Sequence, residues 1–160
     1  MGYRSDVAIT LYKKDFESLV KEAVGKTNYE LDLIKNATLY ENNNADCNII
    51  TMVWNCVKWY DGYDDVDFIM SFIRSNDTQY HFIRIGEEAG DVEEESNDED
   101  WILCESTYIE RYINVECAGN EVEVESSVNK ILQDEIIMTN ETDENIEEVS
   151  EDELFDVISA

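Results

Sequence analysis

At 160 residues, with 43% apolar and 11% aromatic side chains, the chain has enough hydrophobic material for one folded domain and an appendage. Its formal net charge of −28 argues against direct binding to nucleic acid or to an anionic membrane, because each phosphate contact needs a cation. The charge is also segregated: Glu87 to Ala160 holds 26 of the 39 carboxylates against Arg111 and Lys130 alone, a local net of −24, whereas residues 1–86 carry −4. Such a field favours a basic partner.

The opening Met1-Gly2-Tyr3-Arg4-Ser5-Asp6 lacks the apolar run of a signal peptide, so a cytoplasmic location is expected. Val7, Ile9 and Leu11 alternate with polar or small residues and predict a strand. Phe16, Leu19, Val20, Ala23 and Val24 recur at helical spacing, with Gly25 as a stop. Residues 37–40 and 48–60 read as a hairpin around Asn42-Asn43-Asn44-Ala45-Asp46. Asp64 is placed to cap a second helix whose face carries Val66, Ile69, Met70 and Ile73, and a strand follows at 80–85. Strand, helix, strand, strand, helix, strand is the split βαβ order of ferredoxin-like domains, so the expectation is an α+β, ferredoxin-like core over 1–86.

Residues 87–100 hold nine carboxylates and no cation, which predicts a solvated, mobile acidic loop. Residues 101–138 then predict additional strands and a helix on the same domain. Trp101 to Cys104 regains strand character, and alternation at 108–116 and 121–125 around Ala118-Gly119-Asn120 reads as a second hairpin. Ser126 and Ser127 are placed to cap a helix with Val128, Ile131, Leu132 and Ile136. Residues 139–160 read as an acidic tail, in which Ser150 to Ile158 has the form of a capped docking helix.

No nucleotide loop, nucleophile elbow or metalloprotease motif is present, so nothing in the sequence favours an enzyme. The cysteines Cys47, Cys56, Cys104 and Cys117 are widely spaced, and Cys47, Cys56 and His81 lack the paired spacing of a zinc site. No metal or cofactor is expected. His81 reads as a sheet histidine with a hydrogen-bond partner, and Asp61, Asp64, Asp65 and Asp67 as helix-terminus residues, since Gly62 falls at the wrong place for a calcium loop.

The strongest functional signal is acidic. Alternate residues on one strand face stand about 6.6–6.8 Å apart, so Glu121, Glu123 and Glu125 would form a row, with Glu110 and Glu116 as its neighbour. Two staggered rows approach the phosphate spacing of about 3.4 Å along a DNA strand. Glu93, Glu94, Glu95, Asp98, Glu99 and Asp100 in the acidic loop would extend that surface. The alternative surface is aromatic: Trp59, Tyr60 and Tyr63, beside Trp54, either pack in the core or dock a partner, with the acidic half serving only steering and solubility.

The Met1-Gly2-Tyr3-Arg4-Ser5-Asp6-Val7 opening, Val57-Lys58-Trp59-Tyr60 with Asp65-Val66, and Phe82-Ile83-Arg84-Ile85-Gly86-Glu87 together resemble an uncharacterised family of small phage and prophage proteins of Gram-positive bacteria. The likeness covers residues 1–95. It implies a host-cytoplasmic setting in which small acidic phage proteins disarm host defence as anti-CRISPR or anti-restriction proteins. The expected partner is therefore a basic host protein, a CRISPR effector or restriction nuclease, whose nucleic-acid channel an acidic DNA mimic would occupy.

Overall fold

The computed structural model describes residues 2–26, 28–44, 47–75, 77–110 and 112–144. Within them the chain is α+β. Its elements in order are β1 (Ser5–Tyr12), α1 (Lys13–Val24), α2 (Asn28–Lys35), β2 (Thr38–Asn44), β3 (Cys47–Val57), α3 (Asp64–Ile73), β4 (Tyr80–Gly86), β5 (Val92–Ser96), β6 (Tyr108–Ile109), β7 (Ile113–Asn114), β8 (Asn120–Val122) and α4 (Val124–Glu144). Six strands form one sheet in the order β5-β4-β1-β3-β2-β8, with every neighbouring pair antiparallel; β6 and β7 form a separate two-stranded ribbon.

Register divides the sheet into two faces of different chemistry. One row crosses all six strands as Glu95, Phe82, Ile9, Met52, Leu39 and Val122. This face packs against the helices through Phe16, Leu19 and Val20 of α1, Leu33 and Ile34 of α2, Val66, Ile69 and Ile73 of α3, and Val128 of α4. Each fully buried aliphatic or Phe side chain here contributes about 1.5–3 kcal/mol. Trp54 belongs to the same core, and its indole N–H donates to the Leu33 carbonyl at 2.9 Å, so α2 is tied to β3 by a polar bond inside an apolar contact.

The adjacent row on the opposite face is polar: Ser96, His81, Thr10, Thr51, Tyr40 and Glu121. Thr10 and Thr51 are fully buried and share a hydroxyl bond of 3.1 Å, and Ala8 and Ile83 beside them are also buried. They are hidden from solvent because residues 97–110 and 112–119 lie over this face, with Asp98, Leu103, Ser106, Thr107, Asn114 and Ala118 as its buried residues. The acidic half therefore supplies a second layer, here called the cover, which returns through β8 to the free edge of β2. Gly119, at φ +103°, makes that return: a side chain there would overlap the Glu41 carbonyl.

Several expectations are corrected. Two helices, α1 and α2, lie between β1 and β2 where one was expected. β3 ends at Val57, three residues early, after a bulge at which Cys56 takes φ +57°; Asp6 accepts the Cys56 N–H and Arg4 donates to its carbonyl. Tyr63, not Asp64, is the N-cap of α3, without a side-chain bond; Asp64, Asp65 and Asp67 sit in the first turn, where the helix dipole favours them. Residues 87–100 are not a free loop, because β5 pairs with β4. Trp101 to Cys104 are turns, not a strand, and the expected second hairpin splits into the β6–β7 ribbon and β8 on the main sheet. Helix α4 starts at Val124, ahead of Ser126, and covers 139–144, which had been assigned to a tail. The possible docking helix at 150–158 lies outside the described residues.

Candidate protein-binding surface

Six carboxylates of the expected acidic loop, Glu87, Asp91, Glu93, Glu94, Glu95 and Asp98, have partners within the chain. Arg84 on β4 places its guanidinium against both oxygens of Asp91, at 3.0 and 2.7 Å, and against Glu93 at 3.0 Å. Arg74, just past α3, takes Glu95 in a two-pronged bond of 3.1 and 2.7 Å. The Tyr3 hydroxyl donates to Asp91 and accepts the Glu88 N–H, so the N-terminal segment closes over the β4–β5 turn. A Cβ at Gly86 would strike both the Asp91 carboxylate and the Tyr3 hydroxyl, so a side chain there would displace this pair. Hydrogen bonding to Arg84, and then to Tyr3, holds Asp91 below its usual carboxyl pKa. Arg74 lowers Glu95 in the same way, and the bond to Asp91 raises the Tyr3 phenol.

His81 is 1% exposed, with Glu94 Oε1 at 2.9 Å from Nε2 and Thr107 Oγ1 at 3.1 Å from Nδ1. The ring thus bridges a carboxylate of β5 and a hydroxyl of the cover. The pair fastens the cover to the sheet. Acid, imidazole and hydroxyl in line have the ingredients of a nucleophilic triad, but Thr107 is 1% exposed and no substrate can reach it. Among the described residues no group of three His, Cys, Asp or Glu is arranged to hold a metal, and the Cys47 side chain lies outside that set.

Asp98 also turns inward. Its Oδ2 accepts the Leu103 N–H at 2.6 Å and organises the first turn of the cover, while Oδ1 is buried without a hydrogen-bond partner among the described residues. The cover and the turn into α4 present eight exposed carboxylates: Glu99, Asp100, Glu105, Glu110, Glu116, Glu121, Glu123 and Glu125. Glu121, Glu123 and Glu125 do not form a strand row, because β8 ends at Val122 and Glu125 begins the first turn of α4. Glu110 and Glu116 do converge, on Tyr108. Desolvation first, and then these two carboxylates, raise the Tyr108 phenol above its usual pKa.

The sequence-based aromatic surface separates. Trp59 is 7% exposed, its ring 5.2 Å from Trp54 and 6.3 Å from Phe82, so it is core. Tyr60 donates to the Tyr3 carbonyl and meets Tyr63 edge-on at 5.3 Å; Tyr63 is exposed. Tyr3, Trp59, Tyr60, Arg74 and Arg84 border a cleft of about 230 Å³, but both guanidinium groups already face carboxylates. The large exposed aromatics on the cover were missed: Trp101 at 69%, Tyr112 at 58% and Tyr108. Trp101 reads as a strand residue in sequence, yet it sits at a bend with φ +60°.

Comparison of the chain with protein-family models, curated proteins and solved structures finds no match. Among the described residues, no helix is long and apolar enough to cross a membrane.

Proposed function

We propose that the chain is a non-catalytic binding protein whose acidic cover occupies a basic, nucleic-acid-handling surface of a host protein. The observation that carries this reading is the set of eight exposed carboxylates at 99–125, presented by a segment packed on the sheet, in a stretch whose only cation in the sequence is Arg111. Carboxylates fixed on a folded support lose little freedom on binding, and they compete for Lys and Arg side chains that otherwise hold phosphates. The likeness of residues 1–95 to phage proteins narrows the partner to a host defence nuclease, a CRISPR effector or a restriction enzyme, and the setting to the host cytoplasm. The strand order β4-β1-β3-β2 supports reading the core as a ferredoxin-like split βαβ in which α1 and α2 together replace the first crossover helix. That fold leaves function open.

A second reading rests on Trp101 and Tyr112, exposed aromatics of the kind that anchor protein interfaces, with the acids then serving encounter. One experiment separates the two. The full chain is immobilised, proteins are retained from a bacterial host lysate, and duplex DNA is added to the retained nuclease. Mimicry predicts release by DNA and loss of binding when Glu105, Glu110, Glu116 and Glu121 are changed to Gln. Simultaneous binding of DNA and the chain, with loss only in Trp101→Ala or Tyr112→Ala, would select the aromatic reading.

A further inference from the structure

Strand β5 is the outermost strand of the sheet, and its backbone polarity follows from its two ends. Gly86 N–H donates to the Asp91 carbonyl at 2.8 Å and Asn97 N–H to the Tyr80 carbonyl at 3.3 Å. In an antiparallel pair the inward-facing backbone groups occur at every second residue. Asp91, Glu93, Glu95 and Asn97 therefore face β4, and the N–H and C=O groups of Val92, Glu94 and Ser96 face outward. The side chains of these three residues are exposed. None of the three backbone N–H groups has a backbone partner among the described residues outside the β4–β5 ladder. The chain has no proline, so none interrupts this edge.

From this we propose that β5 is a strand-addition site: its free edge receives an extended, Lys- or Arg-bearing segment of a partner protein, paired backbone to backbone with Val92, Glu94 and Ser96. Charge selects the occupant. Glu93 and Glu95 are paired with Arg84 and Arg74, whereas Glu94 meets no Lys or Arg among the described residues, only His81. Its side chain remains 54% exposed at the edge. A cation opposite Glu94 and an apolar residue opposite Val92, itself 46% exposed, complete the added strand. A second copy of this chain is disfavoured, because pairing β5 with itself sets glutamate against glutamate. The outward backbone groups belong to β5 alone and none is supplied by the acidic cover, which meets this strand through side chains, Thr107 by way of His81 and Glu94, and Cys104 at Ser96.

The test uses the isotope-labelled full chain and a synthetic peptide of about eight residues in which Val and Arg take turns at every second position with Thr between them, so that Arg can stand opposite Glu94 while Val stands opposite Val92. In the free protein the Glu93 and Glu95 amides should be protected from hydrogen exchange and those of Val92, Glu94 and Ser96 should not. Peptide should slow exchange at the latter three by at least about tenfold. The same peptide methylated at every interior amide keeps its charge but loses its donors, and should give no such protection. Val92→Pro removes an outward donor without touching the β4 ladder, and Glu94→Lys reverses the selecting charge; each should weaken peptide binding by at least about fivefold. Equal binding by the methylated peptide, peptide binding that leaves the three amides unprotected, no binding at millimolar peptide, or a dimer of the free chain through this edge would each overturn the proposal.

Discussion

At the scale of residues, Arg84 is the side chain on which the β4–β5 connection depends. It is 18% exposed and faces two carboxylates, so its removal leaves Asp91 without its cation and Glu93 with only a distant Arg74 at 3.9 Å. Arg84→Met should lower unfolding stability by about 2 kcal/mol in urea, less than the loss for a fully buried pair because solvent reaches this one. The pH dependence has a definite sign. Asp91 and Glu95 both have folded pKa values below the ordinary carboxyl value, so their contribution is present above about pH 4 and is lost as the pH falls through the lower folded values. A carboxyl-detected NMR titration should place Asp91 below the usual range and return it there in Arg84→Met. None of this pairing was legible in the sequence. Arg74, Arg84 and their acids lie within 22 residues of one another, but only the turn at Glu87 to Gly90 and the end of α3 decide which of nine carboxylates each arginine meets.

At the scale of elements, legibility followed local pattern. β1, α1, α3 and β4 carry clean two- or 3.6-residue periodicity, and each lies within a few residues of its expected place. α2 was missed because Leu31, Leu33 and Ile34 fit neither period well in eight residues, and the helix is fixed by packing on Trp54. β5 was missed because Val-Glu-Glu-Glu-Ser has poor strand propensity; Arg74, Arg84 and His81, brought beside it by the β4–β5 turn and the end of α3, make it a strand. A glutamate-specific protease should therefore cut Glu93, Glu94 and Glu95 no faster than sites in the central sheet, and rapid cleavage there would return these residues to a free loop. The cover makes a parallel claim. Leu103 is fully buried in it, so Leu103→Ala should cost about 2–4 kcal/mol and, if the cover is a packed layer, do so within a single cooperative transition. A loss under about 1 kcal/mol would mean that the cover is not coupled to the sheet.

At the scale of the whole molecule, the segregation of charge was the most legible feature and its architecture the least. Composition located 26 carboxylates in the last 74 residues, but it could not show that some are consumed in internal pairs while others face solvent on a folded cover. The distinction matters because only outward carboxylates can answer a basic partner. The most direct measurement is the salt dependence of binding between the full chain and the host protein it retains. The account predicts that affinity falls at least about tenfold between about 50 and about 200 mM salt, with a shallower slope when Glu105, Glu110, Glu116 and Glu121 are changed to Gln. An affinity that stays flat across that range, with the same slope in the variant, would contradict it.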